Sequence, residues 1–175
     1  MTVAAARDTF DNLAADHRAA VDEFVRRASA IPADRWKVPR APEKWSPAQE
    51  TKHVALYFSK ITEGMNGAPH LRMRVKGLRR LIIRWFYFGR IMRSGRIPVA
   101  VRAPREVRPP DDPGTQNDLL SELREASARF EAALRERQSV PVTMMHPYFG
   151  GLDARETLRF AAIHTRHHAA FLPTS

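Results

Sequence analysis

The chain has 175 residues, 43% of them hydrophobic and 27% charged, with no cysteine and a formal net charge of +10. That length suits one domain, residues 1–175, with a core that needs no cross-links, and the missing cysteines exclude disulfides, thiolate metal ligands and a cysteine nucleophile. The charge is local: Arg72 to Arg108 holds eleven Arg and one Lys against one acid, Glu106, whereas the rest of the chain has 17 basic and 18 acidic residues.

The N-terminal stretch has no basic region ahead of an apolar core, and Asp8 and Asp11 interrupt it, so it does not read as a signal peptide. A cytoplasmic protein is the expectation. Phe10, Leu13, Val21, Phe24, Ala28 and Ile31 recur at steps of three and four, with His17 in the same stripe, which predicts an amphipathic helix over about residues 5 to 30. Prolines at 32, 39 and 42 make Ile31 to Trp45 a connection, with room for a helical turn at Ala33 to Trp36. A second helix opens sharply at Ser46 (N-cap), Pro47 (first helical position) and Gln49 (capping box), with Val54, Tyr57 or Phe58, Ile61 and Met65 turned inward. Gly64, Gly67 and Pro69 close it.

A third helix spans about Gly77 to Arg93 and is ended by Gly95 and Pro98. On a helical wheel Leu78, Leu81, Ile82, Trp85, Phe88 and Met92 share an arc of about 120°, which predicts a core face. Its other side mixes Arg79, Arg80, Arg84, Arg90 and Arg93 with Ile83, Phe86 and Tyr87. Leu78 to Met92 is too short and too rich in arginine for a membrane span, which needs roughly 20 apolar residues. Five prolines among charges make Ile97 to Gly114 an irregular crossover along the bundle. Thr115 and Asp118 open a fourth helix with the stripe Leu119, Leu123, Ala126, Phe130 and Leu134, and Val140 to Gly151 reads as a loop. Asp153 with Glu156 caps a fifth helix running to about Leu172. No internal repeat and no alternating strand pattern longer than four residues is present. The class expected is all-α, a bundle of four long helices with one shorter or more exposed helix.

Seven histidines are present, His17, His53, His70, His146, His164, His167 and His168. His164 and His168 are four apart and share a helical face with Phe160 and Phe171, so two imidazoles stack one turn apart on an inward face, a spacing that lets both bind one ion. His53 lies on the inward side of the second helix. Two ligands from one helix and a third from another would form an open three-histidine site in a bundle core, suited to zinc, nickel or iron(II). The competing reading is of packed or solvated histidines. HTRHH lacks the glutamate that a zincin protease places after its first histidine; Thr165 stands there. His167, three residues after His164, is an alternative chelator expected to point sideways. His146 either approaches the site or fixes its loop, and His17 is either a satisfied core histidine or a support for a ligand.

WSPAQETKHV at Trp45 to Val54, together with HPYFGGLDARETLRFAAIHTRHH at His146 to His168, resembles the DinB-like superfamily of metal-binding four-helix bundles, in a bacterial branch with an HP-x-FG loop. The resemblance covers essentially the whole chain. It implies that His53, His164 and His168 hold the metal, and it favours His168 over His167. It also implies a function, because members of that family include thiol-dependent S-transferases and a mycothiol-dependent isomerase. By that analogy this chain would be a metal-dependent transferase or hydrolase that activates a low-molecular-weight thiol or water toward a small-molecule substrate. Glu50 and Tyr57, one turn either side of His53, are candidates for acid–base or orienting roles, with capping and core packing as their ordinary alternatives. A non-catalytic module that offers the basic 72–108 segment to nucleic acid, an anionic membrane surface or an acidic partner is the competing function. Exposed Phe86 and Tyr87 would suit a homodimer.

Overall fold

A computed structural model describes residues 9–69, 71, 75, 77–98 and 103–173. The expected helix start at residues 5–8 and residues 99–102 of the crossover lie outside them. The protein is mostly helical, an all-α bundle with one small two-stranded sheet. Helix α1 is Phe10–Ser29, capped by the Thr9 hydroxyl, which accepts from Asn12 N. Helix α2, Pro47–Met65, carries the Ser46–Gln49 capping box. Helix α4, Gln116–Arg135, starts on Thr115, and α5, Ala154–Ala169, on the reciprocal Asp153–Glu156 box. Each cap satisfies backbone N–H groups that a helix start leaves without partners.

Helix α1 packs mainly along α5, and α2 along α4. Their inward stripes interlock on Phe24, Phe58, Leu123, Phe130 and Leu158, all fully buried. Burying one such side chain contributes about 1.5–3 kcal/mol. The predicted stripes of α1, α2 and α4 are the observed ones, and Met65 is partly buried at the end of α2.

Two expectations need correction. The first is the core face of the third helix, α3, which comprises Gly77–Ile83, a π-helical stretch Arg84–Phe88, and Gly89–Ser94. Leu78, Leu81, Ile82 and Trp85 are exposed, Trp85 by 77%, whereas Phe88 and Ile91 are buried. Arg84, expected outside, faces the bundle: its guanidinium donates to the carbonyl oxygens of Gly151 (2.7 Å) and Phe149 (3.3 Å) and pairs with Glu156 at 2.9 Å. Charge-assisted bonds to fixed carbonyls outweigh a loose apolar contact. They turn the Arg84–Phe88–Ile91 side inward, and the wide π turn breaks the regular wheel. Gly95, at φ 64°, ends the helix in the left-handed region.

The second correction is the 140–151 loop, which contains a hairpin: β1, Met144–His146, pairs antiparallel with β2, Gly150–Leu152. His146 Nδ1 accepts from the backbone N–H groups of Tyr148 (3.2 Å) and Phe149 (3.3 Å), which closes the turn. Gly150 takes φ 79° there, a conformation open to glycine at little cost. A Cβ at Gly151 would come within 2.9 Å of Val142 Cγ2. The HPYFGG motif is thus a tight turn with an imidazole as its acceptor.

Candidate metal centre

Two stripes face each other between α2 and α5. Glu50, His53 and Tyr57 stand on successive turns of α2, and His168 and His164 on successive turns of α5. Glu50 meets His168, His53 lies between both histidines, and the Tyr57 ring lies tilted 4.4 Å from the His164 ring. The two helices therefore run antiparallel across the site.

The three Nε2 atoms converge. His164 Nε2 lies 3.4 Å from that of His53 and 3.2 Å from that of His168. Imidazole nitrogens bound about 2.0–2.1 Å from a common ion at the tetrahedral angle stand about 3.4 Å apart. The proton count points the same way. His53 Nδ1 is 2.7 Å from the carbonyl oxygen of Val107, which can only accept, so Nδ1 holds the proton and Nε2 presents a lone pair. His168 Nδ1 lies 2.6 Å from Glu50 Oε2, and with that carboxyl ionised Nδ1 is the donor and the Nε2 lone pair faces the same point. His164 Nε2 can donate to one of those lone pairs at most. A cation between the nitrogens satisfies all three, and among the described residues these are the histidines that form such a group.

Burial keeps the imidazoles neutral, the form that binds metal. It pushes His53 down to about 4, against a smaller opposing effect of the Val107 hydrogen bond. Burial first, and then the neighbouring histidines, hold His164 and His168 well below the usual range. Burial also raises the Glu50 carboxyl to about 8. A cation at the three nitrogens favours the ionised carboxylate with the shared proton on His168 Nδ1, as in carboxylate–histidine–metal pairs. The Tyr57 phenol is pushed up by burial, and its hydroxyl, like His164 Nδ1, is buried with no hydrogen-bond partner.

The family model of the DinB superfamily matches residues 16–172. The chain belongs to the DinB superfamily. No curated protein and no solved structure matches it. The matched span contains α2, α4 and α5, α1 from residue 16 onward, and every residue of the candidate site.

The other histidines among the described residues lie elsewhere in this DinB bundle. His17 is fully buried and shares a 2.9 Å hydrogen bond with the Ser127 hydroxyl, between Phe58 and Phe130. Burial and the nearby Arg18 push it down to about 4. His146 belongs to the hairpin turn, stacked on Phe149. His167 points sideways, edge-on to Phe171. Two site features were not singled out from sequence. One is the Trp45 indole, which walls the site 4.8 Å from the His53 ring and stacks 6.2 Å from His168. Its position directly before the α2 cap was the available signal. The other is the Val107 carbonyl, in a short 3-10 turn (Arg105–Val107) of the crossover. A backbone acceptor leaves no mark in the residue type.

Proposed function

We propose that this DinB protein, as one domain, holds a single divalent ion, zinc, nickel or iron(II), through His53, His164 and His168, and transfers a thiol to, or hydrolyses, a small molecule. The observation that carries the reading is the convergence of three Nε2 lone pairs at 3.2 and 3.4 Å, two of them aimed by fixed acceptors on Nδ1. A divalent ion bound there lowers the pKa of a low-molecular-weight thiol or a water and so supplies a nucleophile at neutral pH. Glu50 keeps the proton on His168 Nδ1, and the Val107 carbonyl does the same for His53. Trp45 shields one side from bulk water. The unpaired Tyr57 hydroxyl is available to donate to a bound substrate. No helix among the described residues is long and apolar enough to cross a membrane, and a cytoplasmic location belongs to the same reading.

Elemental analysis of untagged protein after supplementation with zinc, nickel and iron tests it. The wild type should hold about one ion per chain and His164→Ala almost none, with consumption of free thiol or of ester substrates following the metal. A metal-free wild type would overturn the site. A loaded wild type inert toward both substrate classes would leave a structural metal and refute the catalysis.

A further inference from the structure

We propose that the outer face of α3 docks on an anionic phospholipid surface. Leu78, Leu81, Ile82, Trp85, Phe86 and Tyr87 are all exposed, Leu78 by 72% and Trp85 by 77%, on a helix of eighteen residues held to the bundle by its opposite side. Apolar exposure this dense on one element is not the scattered kind that ordinary surfaces carry. An open groove of about 780 Å³ runs between Leu81, Ile82, Trp85 and Phe86 and reaches Phe88 and Arg93. Arg79, Arg90, Arg93 and, just past the helix end, Arg96 are exposed around it. The combination of Trp, Phe and Leu with flanking arginines is what an interfacial helix uses, its apolar side chains entering the acyl boundary and its guanidinium groups meeting phosphates.

Charge selects this occupant over the two alternatives. A second copy meeting the same face would oppose arginines to arginines, because Glu106 is the one acid between Arg72 and Arg108. Nucleic acid would take the arginines and stack on Trp85, but it has nothing to bury Leu78, Leu81 and Ile82. An anionic lipid surface satisfies both sets together. Arg84 is excluded from the docking set, since it is spent on the Gly151 carbonyl and Glu156. The surface lies on α3 and does not depend on the histidines binding metal.

Vesicle flotation of the full chain tests the proposal, with phosphatidylcholine vesicles compared against equimolar phosphatidylcholine and phosphatidylglycerol. The wild type should float with the anionic vesicles alone. An arginine near such a surface contributes about fivefold in partitioning, so the triple change Arg79→Gln, Arg90→Gln and Arg93→Gln should weaken binding about 100-fold. Trp85→Ser should weaken it with the arginines intact, and brominated acyl chains should quench wild-type tryptophan emission but not that of Trp85→Phe. Circular dichroism confirms that each variant is folded. Equal binding to both vesicle types, no binding to either, or an unchanged triple variant overturns the proposal. So does a concentration-dependent dimer, or retention on DNA, in place of vesicle binding.

Discussion

Helices α2 and α3 both carry apolar stripes in their sequences, yet they are used in opposite ways. In α2 the stripe is buried and includes polar side chains, Glu50, Thr51 and His53, each with a hydrogen-bond partner. In α3 the stripe is apolar and faces outward, while an arginine points in. Burial in this protein follows what stands opposite a face, not how apolar the face is. Helix α4 lies along α2 and supplies Phe130 and Leu123; opposite α3 stands a hairpin whose Phe149 and Gly151 carbonyl oxygens accept from Arg84, a contact that leucine could not make.

The contrast is strongest in the response to truncation. Phe58, fully buried against Phe130 and His17, should cost about 3–5 kcal/mol when changed to alanine, read by urea unfolding. A loss below about 1 kcal/mol would mean that the α2 stripe is no better covered than that of α3.

Acid should weaken the buried side next. His17 falls from an ordinary 6.5 to about 4 in the fold because burial disfavours its charge. Between those two values the unfolded chain takes up a proton that the folded chain refuses, so stability declines as pH falls from 6.5 toward 4. The contribution is on the order of 3 kcal/mol. His17→Gln, which retains a group able to hydrogen-bond Ser127, should flatten that part of the stability–pH curve, and an unchanged curve would refute the assignment.

Glu50→Gln should be smaller, because the amide still accepts from His168 Nδ1 but lacks the charge. The expected loss is about 10–100-fold in metal affinity with little change of fold, measured by competition with a chelator. An affinity equal to wild type would make Glu50 a packing residue.

The smallest effect belongs to the outer face. Trp85→Ala should stay within about 0.5 kcal/mol in stability, although it removes a larger side chain than Phe58→Ala. A large loss would show that α3 is covered in solution.

What was legible in the residues was whatever depends on near neighbours. The two capping boxes at Ser46–Gln49 and Asp153–Glu156, the stripes of α1, α2 and α4, and the four-residue pairing of His164 with His168 all follow from helical geometry over a single turn or a few, and each occurs as read. His53 could be placed on an inward face, but its approach to the α5 pair depended on two helices packing antiparallel across 111 positions of chain. The short hairpin escaped because three-residue strands leave too little alternation to register.

By itself, then, the sequence determined an all-helical chain of the DinB superfamily with an imidazole pair on one helix and a strongly basic segment before the fourth. Tertiary structure decided which face of α3 turns inward, which carbonyl holds the His53 proton, and that Glu50 meets His168. The reason is the range of the forces involved. Periodicity and capping record interactions within a turn or two of helix, whereas a carbonyl on a hairpin, or a backbone oxygen in a proline-rich crossover, acquires its importance only when folding sets a distant side chain against it.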